Sequence, residues 1–208
     1  MDYWNDIITQ KSFEILKKMK SEFPFILIGG WAVYLYTKSL KSKDIDIIVE
    51  YEILEKLKKD LDIIKNERLK KYEAKIQEID IDIYVPFFSN PGLPPQTIKK
   101  YITSIENFTI PKPEVLLILK QHAYIERKNS IKGEKDKIDI ISLLKYLDLD
   151  FSLYFNLLKE NKKLNYKDAL IDILQQTNRV NELNINNQMM AKLRKKIALI
   201  FNNHNYNE

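Results

Sequence analysis

The sequence predicts an α+β fold: a small mixed sheet flanked by helices, followed by a C-terminal helical bundle region. Three observations carry this. A compact apolar run over 23–28 ends at Gly29-Gly30, as a buried strand entering a turn does. Two later runs alternate acid with aliphatic, Asp44-Ile45-Asp46-Ile47 and Asp80-Ile81-Asp82-Ile83, the period of a strand with one polar face. Beyond the proline-rich stretch 86–95 the apolar spacing changes to that of helices.

In chain order, apolar spacing predicts a helix over 7–19, the strand 23–28, and a helix resuming over 31–37. The run 44–49 turns fully apolar after its acids, so it reads as a strand with a polar edge and a buried body, followed by a helix over 52–63. The β-rich runs 70–76 and 79–85 are separated only by Gln77-Glu78, which favours an antiparallel hairpin and makes the sheet mixed. Four prolines and a glycine in 86–95 mark a boundary, giving a sheet domain over 1–95 and a helical domain over 96–208. Pro113 suits a first helical turn, so a helix is expected over 114–127. Further helices are expected over 135–147, 151–160, 166–177 and 187–201.

Composition narrows the chemistry. With 208 residues, 45% of them hydrophobic, the chain can build a sizeable core. Its apolar runs are too short to cross a bilayer, and the acidic start Met1-Asp2-Tyr3 opens no signal peptide, so a cytoplasmic protein without membrane contact is expected. Cysteine is absent, which excludes disulfides and thiolate metal sites; with only His122 and His204, any metal must rest on carboxylates, as Mg2+ or Mn2+ does. The charge of +5, from 34 bases against 29 acids, allows a polyanionic partner without demanding one. Over 183–207, Lys192, Arg194, Lys195 and Lys196 stand without an acid. That tail could touch nucleic acid, but Met189, Met190, Leu193, Ile197 and Ile200 recur at helical spacing, so the solvated face of an amphipathic helix is the preferred reading.

The candidate chemistry begins at Gly29-Gly30, where a strand-to-helix turn lets the backbone approach a phosphate and offers it helix N-terminal amides. After a spacer of thirteen residues, Asp44 and Asp46 share one strand face, and two carboxylates so close repel unless a cation lies between them. Hard oxygen donors without His or Cys suit magnesium. A third carboxylate arrives from the hairpin, where strand alternation orients Asp80 and Asp82 equally. Lys120, Ala123 and Arg127 recur three and four apart and so form one helix stripe, a possible clamp for a triphosphate. Taken singly, each feature has an ordinary structural reading: a turn, a polar strand edge, a solvated helix face, or, for Asp136 and Asp139, acids at a helix start. His122 lies outside the cationic stripe and reads as an ordinary helix residue.

In combination the glycine pair, the spacer, Asp44-Ile-Asp46 and the later strand aspartate resemble the DNA polymerase beta-like nucleotidyltransferases. Lys120-x-x-Ala123-x-x-x-Arg127 and Asp136-x-x-Asp139 resemble two helix motifs of the AbiEii-type toxin group within that superfamily, and the motifs keep the same order over 26–147. The resemblance implies metal ligands Asp44, Asp46 and Asp82, the last chosen over Asp80 because Asp82-Ile-Tyr-Val-Pro86 is similar to the family's exit from this strand. It implies nucleotide contacts from Gly29, Gly30, Lys41, Ser42, Lys120 and Arg127, with Asp136 or Asp139 orienting Arg127. Relatives often carry serine at Gly30, and arginine with a hydroxyl residue at Lys41-Ser42; Lys41 could meet a phosphate only as a point charge. The implied reaction moves a nucleoside monophosphate from a nucleoside triphosphate, ATP among them, to a hydroxyl, by in-line attack across two ions. The implied acceptor is an RNA or tRNA end or a protein hydroxyl, with a cognate antitoxin as partner. Transfer to an aminoglycoside-type small molecule, or non-catalytic binding of nucleotide or RNA, are the competing expectations.

Overall fold

The computed structural model describes residues 2–205, with side chains over 6–202. The acidic start at Met1-Asp2-Tyr3 and the His204 side chain lie outside the residues so described. Contacts divide the chain into two compact units, one ending at Lys112 and the other beginning at Pro113. The proline-rich stretch at 86–95, expected as the boundary, lies inside the first unit. The reason is a hairpin beyond it, β6 (Ile102–Ile105) and β7 (Phe108–Pro111), which packs against β1 (Ile26–Ile28).

The first unit is a five-stranded mixed sheet in the order β1-β2-β5-β4-β3, with β2 at Ile45–Ile48, β3 at Ile64–Asn66, β4 at Lys71–Ile76 and β5 at Ile79–Tyr84. Its one parallel pair is β2 with β5; the other three pairings are antiparallel. Strand alternation buries Ile45, Ile47, Ile79, Ile81 and Ile83, leaving Asp46, Asp80 and Asp82 on the other strand faces. Helices α1 (Asp2–Glu22), α2 (Gly29–Thr37), α3 (Tyr51–Asp60) and the short α4 (Pro95–Ile98) complete the unit. Trp31 of α2 is buried, its Nε1 donating to Ser12 Oγ of α1 at 2.9 Å and its ring 4.9 Å from that of Phe13. This anchors the helix that follows the glycine turn.

The second unit is helical: α5 (Pro113–Arg127), α6 (Ile131–Tyr146), α7 (Phe151–Glu160), α8 (Tyr166–Gln176) and α9 (Asn187–Asn205). The turn between α5 and α6 is tight because Ser130 caps α6, accepting from Gly133 N at 3.0 Å, and because position 133 has no side chain. A Cβ there would fall 2.2 Å from the Arg127 carbonyl oxygen. Along α9, Met190, Leu193, Ile197 and Phe201 are buried, so the basic residues between them lie on an amphipathic helix, the reading preferred from the sequence. Among the described residues no helix is long and apolar enough to cross a membrane.

Candidate active site

Strand register assembles the acidic site. Ile28 of β1 lies opposite Asp46 of β2, Asp46 beside Asp82 of β5, and Asp82 opposite Glu73 of β4, so one row across four strands contains three carboxylates. Asp80 is placed elsewhere: it pairs across the hairpin with Lys75, 3.4 Å away, and both side chains are 60% exposed. Parallel pairing to β2 thus separates two aspartates that alternation alone leaves equivalent.

Within the row, burial and the neighbouring Asp46 charge together push the Asp82 carboxyl up to about 6, against the opposing pull of Lys71. Lys71 Nζ lies 2.6 Å from Asp82 Oδ2 and 3.0 Å from Glu73 Oε1, with its side chain only 13% exposed. Burial of the ammonium opposes its charge, but the two carboxylates outweigh it and the Lys71 pKa is raised. The sequence reading missed Lys71 and Glu73. Counting pairs outward from the turn at 77–78 would have found them, because Ile76 opposite Ile79 puts Glu73 opposite Asp82.

Asp46 is also fixed from the other side. Gly29 adopts φ +69°, and a Cβ at this position would fall 2.0 Å from Asp46 Oδ2. The first glycine of the pair therefore makes room for the carboxylate and supplies the left-handed turn that starts α2. Gly30 is buried within the first turn of α2, Ser42 is buried, and Lys41 is exposed. Asp44 is half-buried just before β2. Among the described residues no three carboxylate or imidazole side chains form a group able to hold a metal ion, so Asp44 does not complete one with Asp46 and Asp82. Three like charges converge only around a cation, and Lys71 is the cation set beside Asp82 and Glu73. The Asp46–Asp82 pair itself suits a divalent ion: two adjacent carboxylates, one of them with its pKa raised by burial and by its neighbour's charge.

In the second unit Lys120, Arg127, Asp136 and Asp139 come together. Lys120 is buried, its Nζ 2.7 Å from Asp139 Oδ2 and 3.3 Å from Asp136 Oδ1. Arg127 donates from Nε to Asp136 Oδ2 at 2.7 Å and from Nη2 to Oδ1 at 3.2 Å, while its side chain remains 43% exposed. The Lys120–Asp139 contact lacks hydrogen-bond geometry, so both Asp139 oxygens are buried without a hydrogen-bond partner. Desolvation correspondingly raises the Asp139 pKa, against the pull of Lys120 and Lys135. The stripe expected to clamp phosphate is here an ion-paired cluster between two helices. His122, expected to be an ordinary helix residue, meets Tyr166 Oη through Nδ1 at 2.9 Å.

No family model matches the chain, and no curated protein matches it significantly. Among solved structures it is similar to a candidate nucleotidyltransferase from H. pylori, with TM-score 0.46 and 18% identity over 92% of this chain and 96% of that one. It is similar also to an antigenic nucleotidyltransferase-like protein from Paracoccidioides brasiliensis, with TM-score 0.43 and 17% identity over 79% of this chain and 92% of the other. JHP933 from Helicobacter pylori gives TM-score 0.40 and 18% identity over 88% and 89% of the two chains. At these scores and identities a functional reading has to rest on the residues themselves.

Proposed function

We propose that this chain is a metal-dependent nucleotidyltransferase that moves a nucleoside monophosphate from a nucleoside triphosphate to a hydroxyl acceptor. The observation that carries the proposal is the adjacency of Asp46 and Asp82 in parallel strands, with Gly29 making room for the Asp46 carboxylate at a helix start. Asp46 and Asp82 would hold magnesium, which when bound would neutralise phosphate charge and acidify the attacking hydroxyl. The turn at Gly29-Gly30 admits a phosphate close to the backbone, where the first amides of α2 favour negative charge. The acceptor oxygen forms a bond to the α-phosphorus as the bond to the bridging oxygen breaks, and pyrophosphate leaves. Asp82, beside the attacking hydroxyl, would accept the acceptor's proton.

The AbiEii-type likeness of the α5 and α6 motifs supports an RNA or tRNA end, or a protein hydroxyl, as acceptor, and a cognate antitoxin as partner. The full chain incubated with magnesium, each of the four labelled triphosphates and total RNA or protein should release pyrophosphate and label one acceptor class. Asp46→Ala should abolish both while its circular dichroism spectrum and melting curve stay those of the wild type. Undiminished transfer by a folded Asp46→Ala chain would refute the proposal. Labelling of an added aminoglycoside alone would move the acceptor to small molecules.

A further inference from the structure

Lys71 differs from the paired lysines around it. Those that meet Glu55, Glu67 and Asp80 are 38–60% exposed, as surface ion pairs are, whereas the Lys71 side chain is 13% exposed. Strand alternation puts Lys71 and Glu73 on one face of β4, and Glu73 lies opposite Asp82, so Lys71 reaches Asp82 along the diagonal of the hairpin. Its Nζ donates to Asp82 Oδ2 at 2.6 Å and lies 3.0 Å from Glu73 Oε1. Glu73 Oε1 in turn accepts from Asn66 Nδ2 at 3.2 Å, and Asn66 Oδ1 accepts from the Leu69 backbone N–H at 2.9 Å. A chain of polar contacts therefore runs from the turn after β3, across β4, to one oxygen of Asp82. A desolvated ammonium is costly unless its partners hold it, and this one is held between two carboxylates.

The contact divides the two oxygens of Asp82, because Oδ2 is taken by Lys71 and Oδ1 is left. We propose that Lys71 is a positioning residue of the nucleotidyl-transfer site, holding Asp82 by Oδ2 so that Oδ1 is the oxygen offered to a divalent ion shared with Asp46. The proposal rests on the reading of Asp46 and Asp82 as the metal-binding pair. Outer partners of this kind fix the orientation of a ligating carboxylate, and their loss typically weakens metal binding or activity by about 10–100-fold.

Mn2+ binding to the full chain without nucleotide, at pH 8 and followed by electron paramagnetic resonance of the free ion, tests this beside transfer kinetics. Lys71→Met keeps the apolar stem and should bind Mn2+ at least about tenfold more weakly than the wild type; at saturating ion kcat should fall by a similar factor while KM for the triphosphate stays unchanged. Removing a positive charge would by itself tighten the binding of a divalent ion, so weaker binding reports the lost orientation of Asp82. Lys71→Arg keeps a donor and its charge and should recover most of both losses. Glu73→Gln loosens the ammonium without removing it, so it should weaken Mn2+ binding by a smaller factor, and it carries the test should Lys71→Met fail to fold. Unchanged or tighter Mn2+ binding by a folded Lys71→Met or Glu73→Gln chain, or a loss that Lys71→Arg shares in full, would overturn the proposal. A wild type that binds Mn2+ through Asp46 but transfers no nucleotide would sink the reaction and leave the Lys71 comparison to decide this inference; a wild type that binds no Mn2+ would end both.

Discussion

Replacing Lys120 by methionine tests whether the second unit depends on its buried ion cluster. Methionine keeps the apolar stem of the lysine and removes only the ammonium, which lies 2.7 Å from Asp139 and 3.3 Å from Asp136. Arg127 still satisfies Asp136 through two hydrogen bonds, so the loss falls on Asp139, whose side chain is fully buried and already without a hydrogen-bond partner. Removing one partner of a buried pair typically lowers stability by about 3–5 kcal/mol, because a desolvated charge is left uncompensated. That is a large part of the roughly 5–15 kcal/mol that holds a domain folded. Urea unfolding of the full chain, followed by circular dichroism, should show a lower midpoint with an unchanged slope for the second unit's transition. Asp139→Leu in the Lys120→Met background should recover part of the loss, the two changes coupling by at least about 1 kcal/mol. The variant also has a pH signature. Asp139 has a raised pKa in the folded chain and a higher one still without Lys120, so stability from this group is present below the unfolded carboxyl value and lost as pH rises through the folded value. The deficit should therefore be smaller at pH 5 than at pH 8. A loss under 1 kcal/mol, or strict additivity in the double variant, would refute the idea that this cluster carries structural weight.

Two further predictions concern the acidic row. Carboxyl titration by NMR should place Asp82 near 6; Asp46→Asn should lower it by removing the like charge, and Lys71→Met should raise it. Because the folded value is raised, the contribution of Asp82 to stability is lost as pH rises from about 4, the unfolded value, through about 6, and Asp46→Asn should flatten that slope. Gly29→Ala combines a strained backbone at φ +69° with a Cβ 2.0 Å from Asp46 Oδ2, so it should destabilise the fold by about 1–3 kcal/mol and abolish transfer by displacing Asp46. Thermal melts and pyrophosphate release measure the two effects separately.

The strands that build the row were legible because each buries one face: alternation at 44–49 and 79–85, with the two-residue turn between β4 and β5, is a strong local signal. β3 was not, since its Ile64 is 62% exposed and an edge strand buries little. The β6–β7 hairpin was missed because its turn residues, Glu106 and Asn107, both adopt positive φ without a glycine to announce it. At the site, a period of two makes Asp80 and Asp82 equivalent, and only pairing to a strand more than thirty residues away separates them. The stripe Lys120, Ala123 and Arg127 was correctly periodic, but periodicity says nothing of what faces it. The answer lay nine and sixteen residues on, at Asp136, reached through a turn that Gly133 makes tight.

The electrostatics of the two clusters differ. On α5 and α6, Lys120 and Arg127 match Asp136 and Asp139 one for one, and Lys135 adds further positive field at Asp139. Such a cluster needs no external cation, and drawing Lys120 away to a phosphate would strand a buried acid. Of its two cations only Arg127, with its partly exposed side chain, could turn to an anion without doing so, and it would leave Asp136 with Lys120. In the β2–β5–β4 row three carboxylates stand side by side, and burial together with the neighbouring Asp46 charge raises the Asp82 pKa against the pull of Lys71. A divalent ion at Asp46 and Asp82 would relieve the part of that rise which the Asp46 charge causes. Lys71 and Glu73, already paired with each other, would remain as a ready-made neutral flank. The row with a desolvated, up-shifted carboxyl is therefore the cluster whose electrostatics favour a cation, and the ion-paired one on α5 and α6 is the cluster whose electrostatics favour a fold.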